Sequence, residues 1–272
     1  MIRRTLTVVA LLLIAGCALL RDPLEARLLY RPWPADPERL AAYSKSIPNV
    51  EDVTLSAEDG ATLRGWLQKP AGKQTFPLVI VFGSAVREVS SLLEQQKAAD
   101  WGWLMVNYRG FGLSEGRPNE DLVISDAKLV YDYAVGRADV DAGRVVVLGR
   151  SIGSAVAISL ASERTLAGVI LGTPFTSLAE VANLRYPGIS LLVGDRYDSA
   201  SRAPRVRYPA LFLIAGNDQV APPDSGERLA QVWGGEARVV RIPGASHYSA
   251  ERNPEYWGEI GAFLARIGSR PR

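Results

Sequence analysis

The order of apolar segments predicts an α/β protein with a mostly parallel sheet of about eight strands and helices on both faces. Three observations lead there. Strand-like and helix-like segments alternate along the chain from about residue 78 onward. Leu78-Val79-Ile80-Val81-Phe82 is a continuous apolar run, and Trp103 to Tyr108 and Pro209 to Ala215 are largely apolar, as expected of strands covered on both faces. Val145-Val146-Val147-Leu148 continues through Gly149-Arg150-Ser151-Ile152-Gly153 into another apolar segment, which reads as strand, sharp turn and helix.

The chain has 272 residues, of which 47% are hydrophobic, enough for one large core. The net charge of +2 comes from mixed charges without a basic block, so no nucleic-acid partner is expected. Cys17 is the single cysteine and His247 the single histidine. That rules out an intramolecular disulfide, and a Cys/His metal site is not expected. No P-loop pattern is present, and no other motif calls for a cofactor.

The chain opens with Met1-Ile2-Arg3-Arg4 and an uncharged run from Thr5 to Leu20. A basic start before a short apolar stretch describes a secretory signal, and the run falls short of the roughly 20 residues of a spanning helix. It contains Ile14-Ala15-Gly16-Cys17, which resembles the lipobox of bacterial lipoproteins. The resemblance implies a signal over 1–16, lipidation of Cys17, and attachment to the cell envelope. Ala18 resembles the outer-membrane sorting pattern, with the domain in the periplasm. An uncleaved anchor, or an ordinary signal with an unrelated cysteine, are the alternatives. Residues 17–46 are charged and Pro-rich and read as a tether, although Leu28-Leu29-Tyr30 and Trp33 suggest that part of it packs on the domain over 47–272.

Val50 to Leu55 and Ala61 to Leu67 alternate about Glu58-Asp59-Gly60, the pattern of an antiparallel hairpin. The strand at Leu78–Phe82 ends at Gly83-Ser84. Helices are expected near Glu88–Ala99 and Leu122–Val135, and strands at Trp103–Tyr108 and Arg144–Leu148. After the turn at Ser151 come a helix over Ser154–Ser162 and a strand over Leu166–Leu171. The segment 176–208 reads either as a short cap or as two helices packed on the sheet. Strands at Pro209–Ala215 and Arg238–Ile242 and helices at Ser225–Val232 and Glu255–Ile267 complete the order.

In a sheet of this kind ligands bind beyond the carboxyl ends of the strands, where Gly83-Ser84, Ser151, Asp218 and His247 all fall. A serine nucleophile needs a base, and the base needs an orienting acid. Gly-x-Ser-x-Gly alone is weak, since composition produces it in about one chain in ten of this length. His247 is the available imidazole, in a small-residue loop after the last strand. Asp218 follows a buried strand. Asp224 reads better as part of a capping box, and Asp195 and Asp198 are weaker acids. The amide of Ile152 and one from Ser84 or Ala85 would serve a developing oxyanion.

Asn107-Tyr108-Arg109-Gly110-Phe111-Gly112-Leu113-Ser114-Glu115-Gly116, the turn Gly149 to Ser154, Pro174 to Leu178, Gly216 to Pro222 and Gly244 to His247 together resemble the BEM46 and ABHD13/ABHD17 group of serine hydrolases, within the α/β-hydrolase superfamily. The resemblance covers the chain from about Leu28. It implies hydrolysis of a carboxylic ester or thioester, with Ser151, Asp218 and His247 as the catalytic set. Phe82-Gly83-Ser84 departs from the group's usual His-Gly-Asn. An amidase or peptidase on the same fold, or a non-catalytic envelope lipoprotein, are the competing readings.

Overall fold

The computed structural model describes residues 29–30, 36–92, 99–188 and 194–269. The signal 1–16, Cys17, Leu28 and Trp33 lie outside them. The first helix, α1 (Pro37–Ser46), is capped by Asp36, whose carboxylate accepts from the amides of Glu38 and Arg39. Its Leu40 and Tyr43 are buried against the sheet, so the last third of the stretch read as a tether is helical and packed.

Strands β1 (Val50–Ser56) and β2 (Thr62–Gln68) form the expected hairpin. Gly60 in its turn has φ +86, a conformation that costs a glycine little. Then follow β3 (Phe76–Phe82), β4 (Gly102–Val106), α2 (Glu120–Val135), β5 (Val140–Arg150), α3 (Ile152–Ala161) and β6 (Gly168–Gly172). The interval after β6 carries α4 (Leu178–Arg185) and the short α5 (Ser199–Arg202). The chain continues with β7 (Ala210–Ala215), α6 (Pro223–Gln231), β8 (Ala237–Ile242) and α7 (Pro254–Gly268). The eight strands form one sheet in the order β1-β2-β4-β3-β5-β6-β7-β8. Only β2 runs against its neighbours.

The continuous apolar runs split between two cores because successive strand side chains point to opposite faces. Leu78, Ile80 and Phe82 of β3, with Val145 and Val147 of β5, pack with α2, α3 and Leu229 of α6. Val79, Val81, Val146 and Leu148 pack on the other face with α1 and α7. Both faces are therefore covered by helices, as the sequence predicts.

Three local expectations change. The stretch expected to be helical over Glu88–Ala99 starts as a 3₁₀ turn at Ser90–Leu92; residues 93–98 lie outside the described part. β5 begins at Val140 rather than Arg144, because Val140 pairs with Phe76 across a register shift. The capping box at Asp224 is not formed. α6 starts two residues earlier, with Pro222 as N-cap and no side-chain cap bond, leaving Asp224 an acidic residue in the first turn.

Candidate active site

The turn between β5 and α3 holds Ser151 at φ 54 and ψ −119, in the left-handed half of φ space that costs a non-glycine residue free energy. The surrounding backbone enforces it. The Ser151 amide donates to the carbonyl of Gly172 at the end of β6 (2.8 Å), and the Ser151 carbonyl accepts from the amide of Ser154 (2.9 Å). A Cβ on Gly149 would stand 2.0 Å from the carbonyl oxygen of Gly153, and one on Gly153 would stand 2.1 Å from that of Phe82. Both glycines are thus required by close backbone approach.

His247 follows β8 and Asp218 follows β7. The two loops are joined to each other: the Asn217 amide donates to Ala245 (2.8 Å), and the Gly216 amide donates to Ile242 (2.9 Å). This brings the three predicted side chains into one line. His247 Nε2 lies 2.9 Å from Ser151 Oγ, and His247 Nδ1 lies 2.7 Å from Asp218 Oδ2. The other carboxylate oxygen of Asp218 accepts from the amides of Val220 and Ala221, both at 2.8 Å. Asp218 and His247 are buried, so the carboxylate is held in one orientation by two amides and aimed at the imidazole by the third bond.

The competing aspartates have other work. Asp195 accepts from Tyr30 Oη and the Glu120 amide, both at 2.9 Å. Asp198 caps α5 through the Ser201 amide.

Ser151 opens into a cavity of about 160 Å³, lined mainly by Leu29, Ala85, Val86, Phe175, Leu178, Val181, Val220 and Tyr248, with Ser84, Arg150 and His247 beside the serine. Ser84, at the end of β3, is buried, and its Oγ has no hydrogen-bond partner among the described residues. Tyr108 Oη donates to the Gly83 carbonyl (3.0 Å) and Asn107 Oδ1 accepts from the Val89 amide (2.9 Å), fixing the loop that carries Ser84 and Ala85. Ile152 is the first residue of α3, so its amide has no acceptor within the helix and belongs to the positive end of the helix dipole. Among the described residues, no group of three or more His, Cys, Asp or Glu could hold a metal ion.

Sequence reasoning gave no role to Arg150, yet its side chain is buried; it donates to the His247 carbonyl (2.5 Å) and lies 2.9 Å from Glu251 Oε1. The signal was available: it is the single charge between Val145 and Ser162, and a buried guanidinium must find partners. Leu178 and Val181 were also missed as lining residues. An apolar helix face looks the same whether it covers a core or a cleft.

No family model matches the chain. An uncharacterized protein of Mycobacterium tuberculosis is 34% identical over 255 residues, covering 91% of this chain and 90% of that protein. An α/β-hydrolase domain-containing protein of Arabidopsis thaliana, WAV2, is 30% identical over 197 residues, 67% of this chain and 62% of that one. The crystal structure of an α/β-hydrolase from Vibrio vulnificus superposes with a TM-score of 0.70 at 19% identity, over 92% of this chain and 93% of the other. The strand order, the strained turn at Ser151 and this superposition show that the chain has the α/β-hydrolase fold.

Proposed function

We propose that the protein is a serine hydrolase that cleaves a carboxylic ester or thioester through an acyl-enzyme on Ser151. The observation that carries this reading is the Ser151–His247–Asp218 hydrogen-bonded line opening into an apolar cavity. In the first step Ser151 Oγ attacks the acyl carbon and its proton passes to His247 Nε2. The charge that develops on the carbonyl oxygen is met by the amides of Ile152 and Ser84. Asp218 keeps Nδ1 protonated and stabilises the imidazolium without taking its proton. As the carbon–oxygen or carbon–sulfur bond breaks, His247 gives its proton to the leaving alkoxide or thiolate. A water then attacks the acyl-enzyme, with His247 again as base, and the acid leaves.

The acyl side of the substrate is apolar, because the cavity wall is apolar beyond the serine. The volume lies well below the roughly 300 Å³ at which sites for drug-sized ligands begin, so it holds the acyl carbons next to the scissile bond. Attachment to the membrane through lipidated Cys17 is part of the same proposal. It rests on the lipobox-like Ile14-Ala15-Gly16-Cys17, and a Cys17→Ser chain should accumulate in unprocessed form. Normal maturation and acylation of that variant would remove this part.

The central test is labelling of the full chain by a fluorophosphonate probe, together with turnover on a panel of matched esters, thioesters and amides. Labelling should be lost in Ser151→Ala, and kcat/KM on esters should fall by about 10⁵-fold. Equal labelling of Ser151→Ala, or no labelling of folded protein, would refute the serine mechanism. Preference for amides would refute the substrate class alone.

A further inference from the structure

Six large apolar side chains are exposed among the described residues: Leu184, Tyr186, Val220, Val232, Val239 and Tyr248. Two of them line the cavity over Ser151, and two more belong to α4, the helix that supplies part of its wall. The lining pair is Val220 and Tyr248. Leu184 lies on α4, whose Leu178 and Val181 line the cavity, and Tyr186 is the C-cap of the same helix. Leu184, Tyr186 and Tyr248 are each at least 60% exposed. Apolar groups clustered on a surface mark a contact site rather than the ordinary scatter of exposed hydrophobics.

The path of the chain says what lies against that site. Leu29 is part of the cavity wall, and Tyr30 is buried beside it, donating to Asp195 Oδ2 at 2.9 Å. Between Cys17, the proposed point of lipid attachment, and Leu29 there are twelve residue steps. Fully extended, these reach at most about 40 Å. Where a bilayer holds lipidated Cys17, the cavity wall must lie within that reach of it. The size of the cavity points the same way: about 160 Å³ beside the serine takes the start of an acyl chain, and the rest of a long one would run out over the apolar rim.

From this juxtaposition we infer that the cavity mouth docks on the bilayer that holds lipidated Cys17, with Leu184, Tyr186, Val220 and Tyr248 as its contact collar, and that the substrate is a long-chain acyl ester resident in that bilayer. The inference rests on the serine-hydrolase reading for its substrate and on the Cys17 anchor for its bilayer.

Two measurements on the full chain, reconstituted into phosphatidylethanolamine–phosphatidylglycerol vesicles, separate the two. The first is cross-linking by a photoactivatable phospholipid, read by peptide mapping. Adducts should concentrate on the segments 178–188, 218–222 and 245–249, and the segment 232–242 should carry few. Adducts spread evenly, or concentrated on 232–242, would overturn the docking face, whether or not the protein is active. The second compares turnover of a long-chain ester in the vesicle with that of a short soluble ester. In Leu184→Ser with Tyr186→Ser the ratio of the two should fall by about tenfold or more, since interfacial binding scales with buried apolar area. An unchanged ratio would overturn the bilayer as the source of substrate. A concentration-dependent dimer that the double variant abolishes would assign the collar to a second copy of the chain and overturn the proposal as well. Loss of soluble-ester turnover in the parent chain would instead count against the serine-hydrolase reading.

Discussion

Arg150 fills the variable position of the Gly-x-Ser-x-Gly turn, and its guanidinium reaches away from the serine toward the loop of the base. Its bond to the His247 carbonyl at 2.5 Å and its approach to Glu251 at 2.9 Å tie the turn after β5 to the loop after β8. The residue before the nucleophile therefore sets the distance at which the imidazole stands. Arg150→Met keeps much of the side-chain volume and removes that tie. We expect kcat to fall by about 10- to 100-fold with KM little changed, because misplacement by about 1 Å is enough for such a loss. Arg150→Lys, still cationic but without the planar fork, should restore only part. Steady-state kinetics normalised to active sites by probe titration check it: a lower melting temperature with unchanged kcat per site would mean that Arg150 serves stability alone. At this scale much of the candidate site was legible in the sequence, for definite reasons. One histidine left no choice of imidazole, and Asp218 was separated from Asp224 by its place just after a buried run. Arg150 was not legible, because a motif reports residue types around the serine and not where a long side chain ends.

Among the elements, the connection from β4 to α2 depends on one buried charge cluster. Arg109 Nε and one Nη donate to the two oxygens of Asp126 on α2 at 2.6 and 2.8 Å, and its other Nη donates to Asp59 in the β1–β2 turn at 2.6 Å. Burial pushes the Asp126 carboxyl up, and the Arg109 guanidinium opposes that. Removing one partner leaves an uncompensated buried charge. Arg109→Met should cost about 3–5 kcal/mol, and most of that should return in Arg109→Met with Asp126→Leu; equilibrium urea unfolding of the single and double variants measures both. A second cluster, at the start of β5, gives a pH signature. Arg137 grips Asp139 through two bonds of 2.8 Å, with Lys69 at 2.9 Å. Arg137 above all, and then Lys69, hold the Asp139 carboxyl down at about 2. A depressed folded value stabilises the protein above the unfolded value of about 4, and that stabilisation is lost as pH falls toward 2. After allowance for partial exposure, Asp139→Asn should cost about 1–2 kcal/mol at pH 7. Its deficit against the parent should shrink between about pH 4 and pH 2 in unfolding experiments; a deficit constant across that range would show that the charge is not its source. The elements themselves were legible where apolar content and period agreed, as in β3, β4 and β7. They were not legible where a strand carries an irregular polar stretch between its paired parts, as β5 does over 141–144, or where Ser90 to Leu92 take a 3₁₀ turn in place of helix.

For the molecule as a whole, the decisive contact is between the far N-terminal segment and the interval after β6. Tyr30 Oη donates to Asp195 Oδ2 and shares a short hydrogen bond with Tyr197 Oη. Asp195 in turn accepts from the Glu120 amide at the start of α2, and Glu120 accepts from the amides of Arg196 and Tyr197. Burial, then the neighbouring Tyr197 and Asp195, push the Tyr30 hydroxyl far up, so it remains a neutral donor throughout the working range. Apolar residues within a charged stretch hinted at packing here but named no partner. A hydrogen bond across 165 positions leaves no local pattern. Tyr30→Phe removes the donor and leaves a carboxylate oxygen and a tyrosine hydroxyl short of a partner in a largely dry site, which should cost about 1–3 kcal/mol. The loss should appear locally first, as release of residues 29–30 from the cavity wall, because a segment held by few contacts opens before the core does. Limited trypsin digestion reports it at Arg27, two residues before the anchored pair, since the bond after Arg31 leads into Pro32 and resists trypsin; 1.4 kcal/mol corresponds to about a tenfold larger open population, which sets the cleavage rate when opening and closing are fast. We therefore expect cleavage after Arg27 to accelerate by about tenfold in Tyr30→Phe, and Tyr186→Phe, at an exposed tyrosine, should leave it unchanged. Equal cleavage of parent and Tyr30→Phe would show that Leu29 is held against the cavity by something other than the Tyr30 hydroxyl.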